Sequence, residues 1–313
     1  MLCRLAGFLV LGFASLLSQE TPSEGKVPQP GDPKEQSSLL WEKPVVIAHL
    51  SDTHLGMKRA PDAADTLMQA VEMINLRHPD AVILTGDIGD QYEESWTKAR
   101  EIFKELKAPI FYLPGNHDDT TKTQERYKKI FHSNYYSFDV RFVHFVALDS
   151  QLLGNWENID SETPEVVYRE DADSAEKMLQ WIEKDGAELK SRQAKDPRLG
   201  KVTVAVQHVP PDRNRTGAPD ARPYWVLHEP WSTRELAALR GIGVTHIFAG
   251  HWHKGINYSK DGFKYHIAPA TSWSPSSPLG FYIHSISSNG DVQTTVVYLR
   301  VDDPPSKNLR AAK

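Results

Sequence analysis

The chain has almost no cysteine. One residue in 313, Cys3, lies in the opening segment, so everything after it is free of thiols, disulfides and cysteine metal ligands. Long hydrophobic runs are scarce as well. The run that opens the chain, Leu5 to Leu17, is thirteen residues, short of the ~20 that span a bilayer but the length of a secretory signal core. No cysteine follows it, which argues against a lipoprotein anchor. A basic surplus is missing: 36 Lys and Arg stand against 41 Asp and Glu, a net charge of −5, which argues against nucleic-acid binding. No internal repeat is visible, which argues against solenoids and propellers.

What is present divides into four parts. Residues 1–18, with Arg4 ahead of the apolar run and Ala14, Ser15 and Ser18 near its end, read as a signal peptide. The protein is therefore expected to be exported, with no transmembrane segment once processed. Residues 19–40 are rich in Pro, Ser, Gly and charge and read as a flexible linker; residues 302–313 read as a polar tail. One folded domain is expected over 41–301.

Inside that domain, short apolar runs alternate with amphipathic stretches. "PVVIAHL" (44–50), "AVILT" (81–85) and "IFYL" (110–113) read as buried strands. Between them, Leu67, Ala70, Val71 and Ile74 recur at helical spacing, and a second helix is expected around Trp96 to Leu106. A helix over 123–131 follows, then two strands joined by a tight turn, a long helix from about Asp171 to Arg192, strand 202–207, helix 232–240 and strand 245–249. From Gly255 onward strands and turns dominate. Strands alternating with helices predict parallel β–α units, and the whole predicts a mixed α/β domain with two packed sheets and helices outside.

The unusual residues fall just after the strands. Strand 44–50 leads into Asp52 and His54, strand 81–85 into Asp87 and Asp90, strand 110–113 into Asn116, His117, Asp118 and Asp119. Strand 202–207 ends at His208, and strand 245–249 at His251 and His253. Each block alone has an ordinary reading: a helix-capping aspartate, a Gly-Asp turn, an Asx turn. Five such blocks in order are another matter, because ligands of open α/β sheets bind beyond the carboxyl ends of the strands. Aspartates, histidines and an asparagine form a mixed oxygen and nitrogen set without sulfur, suited to Mn, Fe, Zn, Ni or Co rather than to Ca or Mg. The set is too large for one ion. It suits two, about 3.5–4 Å apart, sharing a carboxylate.

The ordered series D-x-H, GD, GNHD, H and GHxH over about residues 45–300 resembles the calcineurin-like metallophosphoesterase superfamily. That resemblance implies a four-layer α/β/β/α sandwich and two divalent metal ions (Mn, Fe, Zn or Ni). It implies that Asp52, His54, Asp87 and His253 hold one metal, and that Asp87, Asn116, His208 and His251 hold the other, with Asp87 bridging. His117 would be the catalytic histidine, oriented by Asp90 as in the protein-phosphatase branch. The Fe(III)-tyrosinate pattern of purple acid phosphatases is not matched, since Asp90 stands where their tyrosine would be and His54 where they have glycine. "ALDSQLL", "VQHVP" and "YHIAPATSW" resemble the group named for its calcineurin-like phosphoesterase domain, which includes an animal serine/threonine phosphatase. That group has Gln in place of His54.

The implied activity is hydrolysis of a phosphate ester by a water activated between two metals, with a phosphomonoester as leading substrate. Two alternatives stand beside it: a cyclic-nucleotide phosphodiesterase, and a non-catalytic metal-binding interaction module. Tyr224, Trp225, His228, Trp231, Trp252 and Trp273 are candidates for pocket walls. Arg213, Arg215 and Arg222, in the long 210–231 loop, are candidates for a second phosphate contact. His49, His78, His132, His144, His246 and His284 fall outside the blocks and carry no assigned role. Asp118 and Asp119 have two open roles, capping the next helix or bracing the site from behind.

Overall fold

A computed structural model describes residues 41–90, 93–118, 124–158, 166–212 and 223–299. The expected signal peptide, linker and tail, with Asp119, Arg213, Arg215 and Arg222, lie outside the described residues. No described helix is long and apolar enough to cross a membrane.

The elements run β1 (Val45–Leu50), α1 (Ala63–Asn75), β2 (Ala81–Thr85), α2 (Glu93–Phe103), β3 (Ile110–Leu113), α3 (Gln124–Phe131), β4 (Tyr136–Val140), β5 (Val143–Ala147), β6 (Asn155–Asn158), β7 (Val166–Arg169), α4 (Ala172–Gln193), β8 (Val202–Val206), α5 (Trp231–Gly241), β9 (Val244–Ala249), β10 (Ile256–Lys260), β11 (Phe263–Ile267), β12 (Gly280–Ile286) and β13 (Val292–Tyr298). They form a five-stranded sheet, β13-β12-β1-β2-β3, and a six-stranded sheet, β10-β11-β9-β8-β5-β4. Strands β1, β2 and β3 are mutually parallel, as are β5, β8 and β9, while β12 and β13 add antiparallel. The β6–β7 hairpin is not foreshadowed by the sequence pattern. α2 starts three residues ahead of the expected Trp96, because Glu93 and Glu94 occupy its first turn, where acidic groups complement the helix dipole.

Strand alternation sorts the core into layers. Val45, Ile47 and Ile83 point between the sheets and pack on Phe145, Val204 and Phe248. Ala48, Leu50, Val82 and Leu84 point the other way, onto Leu67, Val71 and Ile74 of α1 and Trp96 and Phe103 of α2. On the far side Ala205, Ile247 and Ala249 pack against Met178 and Ile182 of α4 and Leu236 and Leu239 of α5. Each buried Leu, Ile or Phe contributes about 1.5–3 kcal/mol. The result is the four-layer α/β/β/α sandwich, and both sheets place the carboxyl ends of their parallel strands along one rim.

One ion cluster, buried at His144 and Asp185 and open to solvent at Asp139 and Arg192, ties β4 and β5 to α4. His144 Nδ1 lies 2.6 Å from Asp139 Oδ1 and its Nε2 2.8 Å from Asp185 Oδ2, while Arg192 pairs with Asp139. Burial alone would lower the His144 pKa, yet the two carboxylates raise it. A folded pKa above the unfolded one gives stability that is full below the ordinary histidine value and is lost as pH rises through the folded pKa. His144→Gln should therefore cost about 1–3 kcal/mol at mildly acid pH, with the gap closing in alkali. Urea unfolding of both proteins across that range measures it, and a gap that widens with pH would contradict the account.

Candidate metal centre

The five loops meet. Asp52, His54, Asp87 and His253 bring four ligand atoms within 4.8 Å of one another, and Asp87, His208 and His251 do the same. All are buried. Asp87 belongs to both groups, which is the geometry of a shared carboxylate.

Backbone conformation makes the convergence possible. Asp52, His54, Asp87, His251 and His253 all have positive φ, from 43° to 67°. Non-glycine residues pay about 1–2 kcal/mol for that region, and such strain concentrates at functional sites. The loops are laced by main-chain bonds: Asp52 N–H donates to the Gly86 carbonyl, His54 N–H to that of Asp87, and Gly250 N–H to that of His208. Gly115 is forced by close approach, since a Cβ there would lie 2.2 Å from Asp87 Oδ1.

The side chains are aimed by their outer contacts. His208 Nδ1 donates to the Thr85 carbonyl at 2.7 Å, leaving Nε2 facing Asp87 Oδ2 at 3.2 Å and Asn116 Oδ1 at 3.1 Å. His251 Nε2 donates to the Tyr224 carbonyl at 3.0 Å, which leaves Nδ1 as its free lone pair. His54 Nε2 and His253 Nε2 stand 3.1 Å apart, and His253 Nε2 is 3.0 Å from Asp52 Oδ1. That oxygen is buried and nevertheless receives no directed hydrogen bond. Crowded lone pairs converging on an orphaned carboxylate oxygen are what a cation resolves, so the residues fit metal ions. The electrostatics agree. Although burial opposes it, the surrounding histidines hold the Asp52 and Asp87 carboxyls well below the usual range. Burial would lower His208 too, but the Asp87 carboxylate lifts it to about 9, a proton standing where a cation would serve.

His117 lies beside the clusters and in neither of them. Its ring sits edge-on to His54, with centroids 4.8 Å apart at 89°. Nδ1 donates to Asp90 Oδ1 at 2.8 Å, and its main-chain N–H donates to Asp87 Oδ1 at 2.8 Å. Burial would depress the pKa, but Asp87, Asp90 and Asp118 raise it, so the imidazolium is favoured.

A profile of calcineurin-like phosphoesterases matches residues 45–255, which contain every one of these side chains. The chain belongs to the calcineurin-like phosphoesterase family. It is 21% identical over 248 residues to a "Probable cyclic nucleotide phosphodiesterase" of Fibrobacter succinogenes, covering 75% of this chain and 82% of that one. It is 24% identical over 243 residues to the serine/threonine-protein phosphatase CPPED1 of Mus musculus, covering 68% and 71%. A dimetal phosphatase from Danio rerio shares the fold, with a TM-score of 0.57 at 16% identity over 82% of this chain and all of the other. The protein is thus a hydrolase of phosphate esters.

Within this phosphoesterase scaffold the structure brings together all nine expected site residues and sorts the rest. Trp273 stands edge-on to His253 at 5.2 Å, and Tyr224 and Trp225 face His251 at 4.7 and 5.3 Å. Trp231, which opens α5, and Trp252 are corrections, since both are buried in the core cluster with α4 and α5 and neither is exposed enough to form a pocket wall among the described residues. His228 instead packs on Tyr168, with centroids 4.6 Å apart. Asp118 is the residue whose role the sequence left open. Its carboxylate accepts from the N–H groups of Ile88, Gly89 and Gly115 and from Trp96 Nε1. Burial and the Asp87 charge push its pKa up to about 7, but four donors are satisfied only by the anion, which we take as its state. It clamps the Gly-Asp loop to the Gly-Asn-His-Asp loop. No signal in the chain marks the Tyr224 contacts or the Trp96 bond in advance.

Proposed function

We propose that this phosphoesterase hydrolyses phosphomonoesters at a dinuclear centre, with Asp52, His54, Asp87 and His253 holding one ion and Asp87, Asn116, His208 and His251 the other. The observation that carries it is the sharing of Asp87 between two buried clusters with the His117–Asp90 pair alongside. Two divalent ions bound here would acidify a shared water and offset charge on the phosphoryl oxygens. The chain's own residues do the rest. Asp90 holds the His117 ring through Nδ1, so Nε2–H points away from it and protonates the departing alkoxide. The main-chain N–H of residue 117 and the Asp118 clamp keep Asp87 and its loop in place. Strained loops pay for this geometry before substrate arrives, leaving little to reorganise during reaction.

A second reading is cyclic-nucleotide diester hydrolysis. It is supported by His54, which completes the D-x-H block, and by the name of the Fibrobacter relative. The filled His117 and ligand positions speak against a non-catalytic module. We further propose that the protein is exported, on the strength of residues 1–18.

The test is a substrate panel. Metal-stripped protein reloaded with Mn, Fe, Zn or Ni is assayed on an aryl monoester, an aryl diester, a cyclic nucleotide and a phosphopeptide. Monoester or phosphopeptide turnover leading the panel by at least about tenfold in kcat/KM, equivalent to ~1.4 kcal/mol, supports the phosphatase reading. A lead for the cyclic nucleotide transfers the assignment to the diesterase, and no hydrolysis by any loaded form returns the module.

A further inference from the structure

We propose that Tyr224 is a positioning residue for the second metal, setting the orientation of one of its ligands and the tautomer of another. The proposal rests on the dinuclear reading above and names a residue outside the family's motif blocks.

Tyr224 lies in a single 3₁₀ turn, Pro223–Trp225, far from Asn116 and His251 in sequence. The turn is pinned to the core by its neighbour: Trp252 Nε1 donates to the Trp225 carbonyl at 2.6 Å, and Trp252 is almost wholly buried. From that anchor Tyr224 reaches the centre twice. Its phenol oxygen accepts from Asn116 Nδ2 at 2.8 Å. Its main-chain carbonyl accepts from His251 Nε2 at 3.0 Å, with the two rings 4.7 Å apart.

Each contact resolves an ambiguity that a ligand must not have. An asparagine amide has an oxygen end that ligates and a nitrogen end that cannot. With Nδ2 engaged by the phenol, Oδ1 is turned to the cluster, 3.1 Å from His208 Nε2. A neutral imidazole carries its proton on one nitrogen or the other. With Nε2–H held by the Tyr224 carbonyl, the lone pair sits on Nδ1, the atom left for the metal. Outer partners of this kind are typically worth 10- to 100-fold in metal affinity. Asp52 and His54, on the first-metal side, are tied to the main chain of Gly86 and Asp87 instead, so the effect should be confined to one ion.

Tyr224→Phe removes the phenol contact and keeps the carbonyl and the ring. Apo wild-type and variant proteins are titrated with Co²⁺ by calorimetry, and the cobalt absorption bands are followed in parallel. Wild type should take up two ions. In Tyr224→Phe one uptake step should weaken 10- to 100-fold with its bands altered, the other step should hold, and the apo melting temperature should not move. Asn116→Ala should weaken the same step, and adding Tyr224→Phe to it should cost nothing more, because the phenol acts through that amide. Two ions bound by the variant as tightly as by wild type would overturn the proposal alone. Both steps weakening alike, alongside a lower apo melting temperature, would show a merely structural residue and overturn it too. Wild type holding fewer than two ions would instead overturn the dinuclear reading, and this assignment with it.

Discussion

His117→Ala is expected to lower kcat by 10²- to 10⁴-fold, about 3–5 kcal/mol of transition-state stabilisation, while the protein keeps its full complement of metal. The separation follows from the geometry. The imidazole belongs to neither ligand group, and the main-chain N–H that supports Asp87 survives the substitution. Removing the ring therefore removes a proton donor and leaves the clusters in place. Asp87→Ala gives the opposite pattern, because that carboxylate is common to both groups and faces His54 and His208 at 3.6 and 3.2 Å. It should lose metal and activity together. Elemental analysis beside steady-state kinetics distinguishes the two. A His117→Ala protein with undiminished turnover would remove the general-acid role.

The second large effect concerns acid. Four histidines outside the metal clusters form a buried relay between the sheets. His49 Nε2 is 2.9 Å from the Thr85 hydroxyl and its Nδ1 3.1 Å from His284 Nε2. His284 Nδ1 and His266 Nδ1 both meet the Thr294 hydroxyl, at 2.9 and 3.0 Å. His266 Nε2 is 3.0 Å from His246 Nδ1, and His246 Nε2 donates to the Gly290 carbonyl at 3.0 Å. That carbonyl can only accept, so His246 Nε2 carries the proton of that link. Asn257 Oδ1 also faces His266 Nδ1 at 2.8 Å. The four rings lie in contact with one another and with few charges, so burial favours their neutral forms and each further proton is opposed by its neighbours.

Burial depresses their pKa values accordingly: His49 and His266 to about 3, His246 to about 4, and His284 well below the ordinary range. The charges facing the relay are Asp52 toward His49, and Lys264 and Asp291 toward His246. Folded values below the unfolded value of about 6.5 mean that the unfolded chain binds more protons in between. The stability is thus complete above the unfolded pKa and is lost as pH falls beneath it. Each histidine contributes about 1.4 kcal/mol per pH unit, so four together approach ~5–6. A domain stable by about 5–15 kcal/mol should then lose much of that stability as pH falls below about 6.5, less the opposing contribution of the raised His117, His144 and His208. Denaturant titrations at stepped pH measure the slope. Stability level from neutral pH down to about 5 would show that the relay is already charged or exposed.

Much of this protein is readable before folding. Leu67, Ala70, Val71 and Ile74 share one buried face of α1, as their spacing requires, and β2 runs from Ala81 to Thr85, as its apolar run requires. Such elements are local: hydrophobic period and chain direction decide them. The nine candidate site residues are legible for a related reason. Ligand chemistry restricts which side chains can serve, and each lies within a few residues of a strand end.

Other features stay hidden because they depend on partners distant in sequence. Trp231 and Trp252 resemble pocket aromatics in a one-dimensional reading, and only the packing of α4 and α5 shows them to be core. Asp118 has the form of a helix cap, and nothing local foreshadows the donors it finds at residues 88, 89, 96 and 115. His49 sits in an apolar strand with no visible partner, and finds one 235 residues away.

Residue type and order by themselves determined the layers, the parallel strands and the oxygen-and-nitrogen donor set, since periodicity and coordination chemistry are properties of short segments. Tertiary structure alone decided the left-handed backbone at five candidate ligands, the tautomers of His208 and His251, and the contacts of Tyr224 with Asn116 and His251. Those depend on which N–H meets which carbonyl across the fold, a matter settled only when distant loops are brought within about 3 Å of each other.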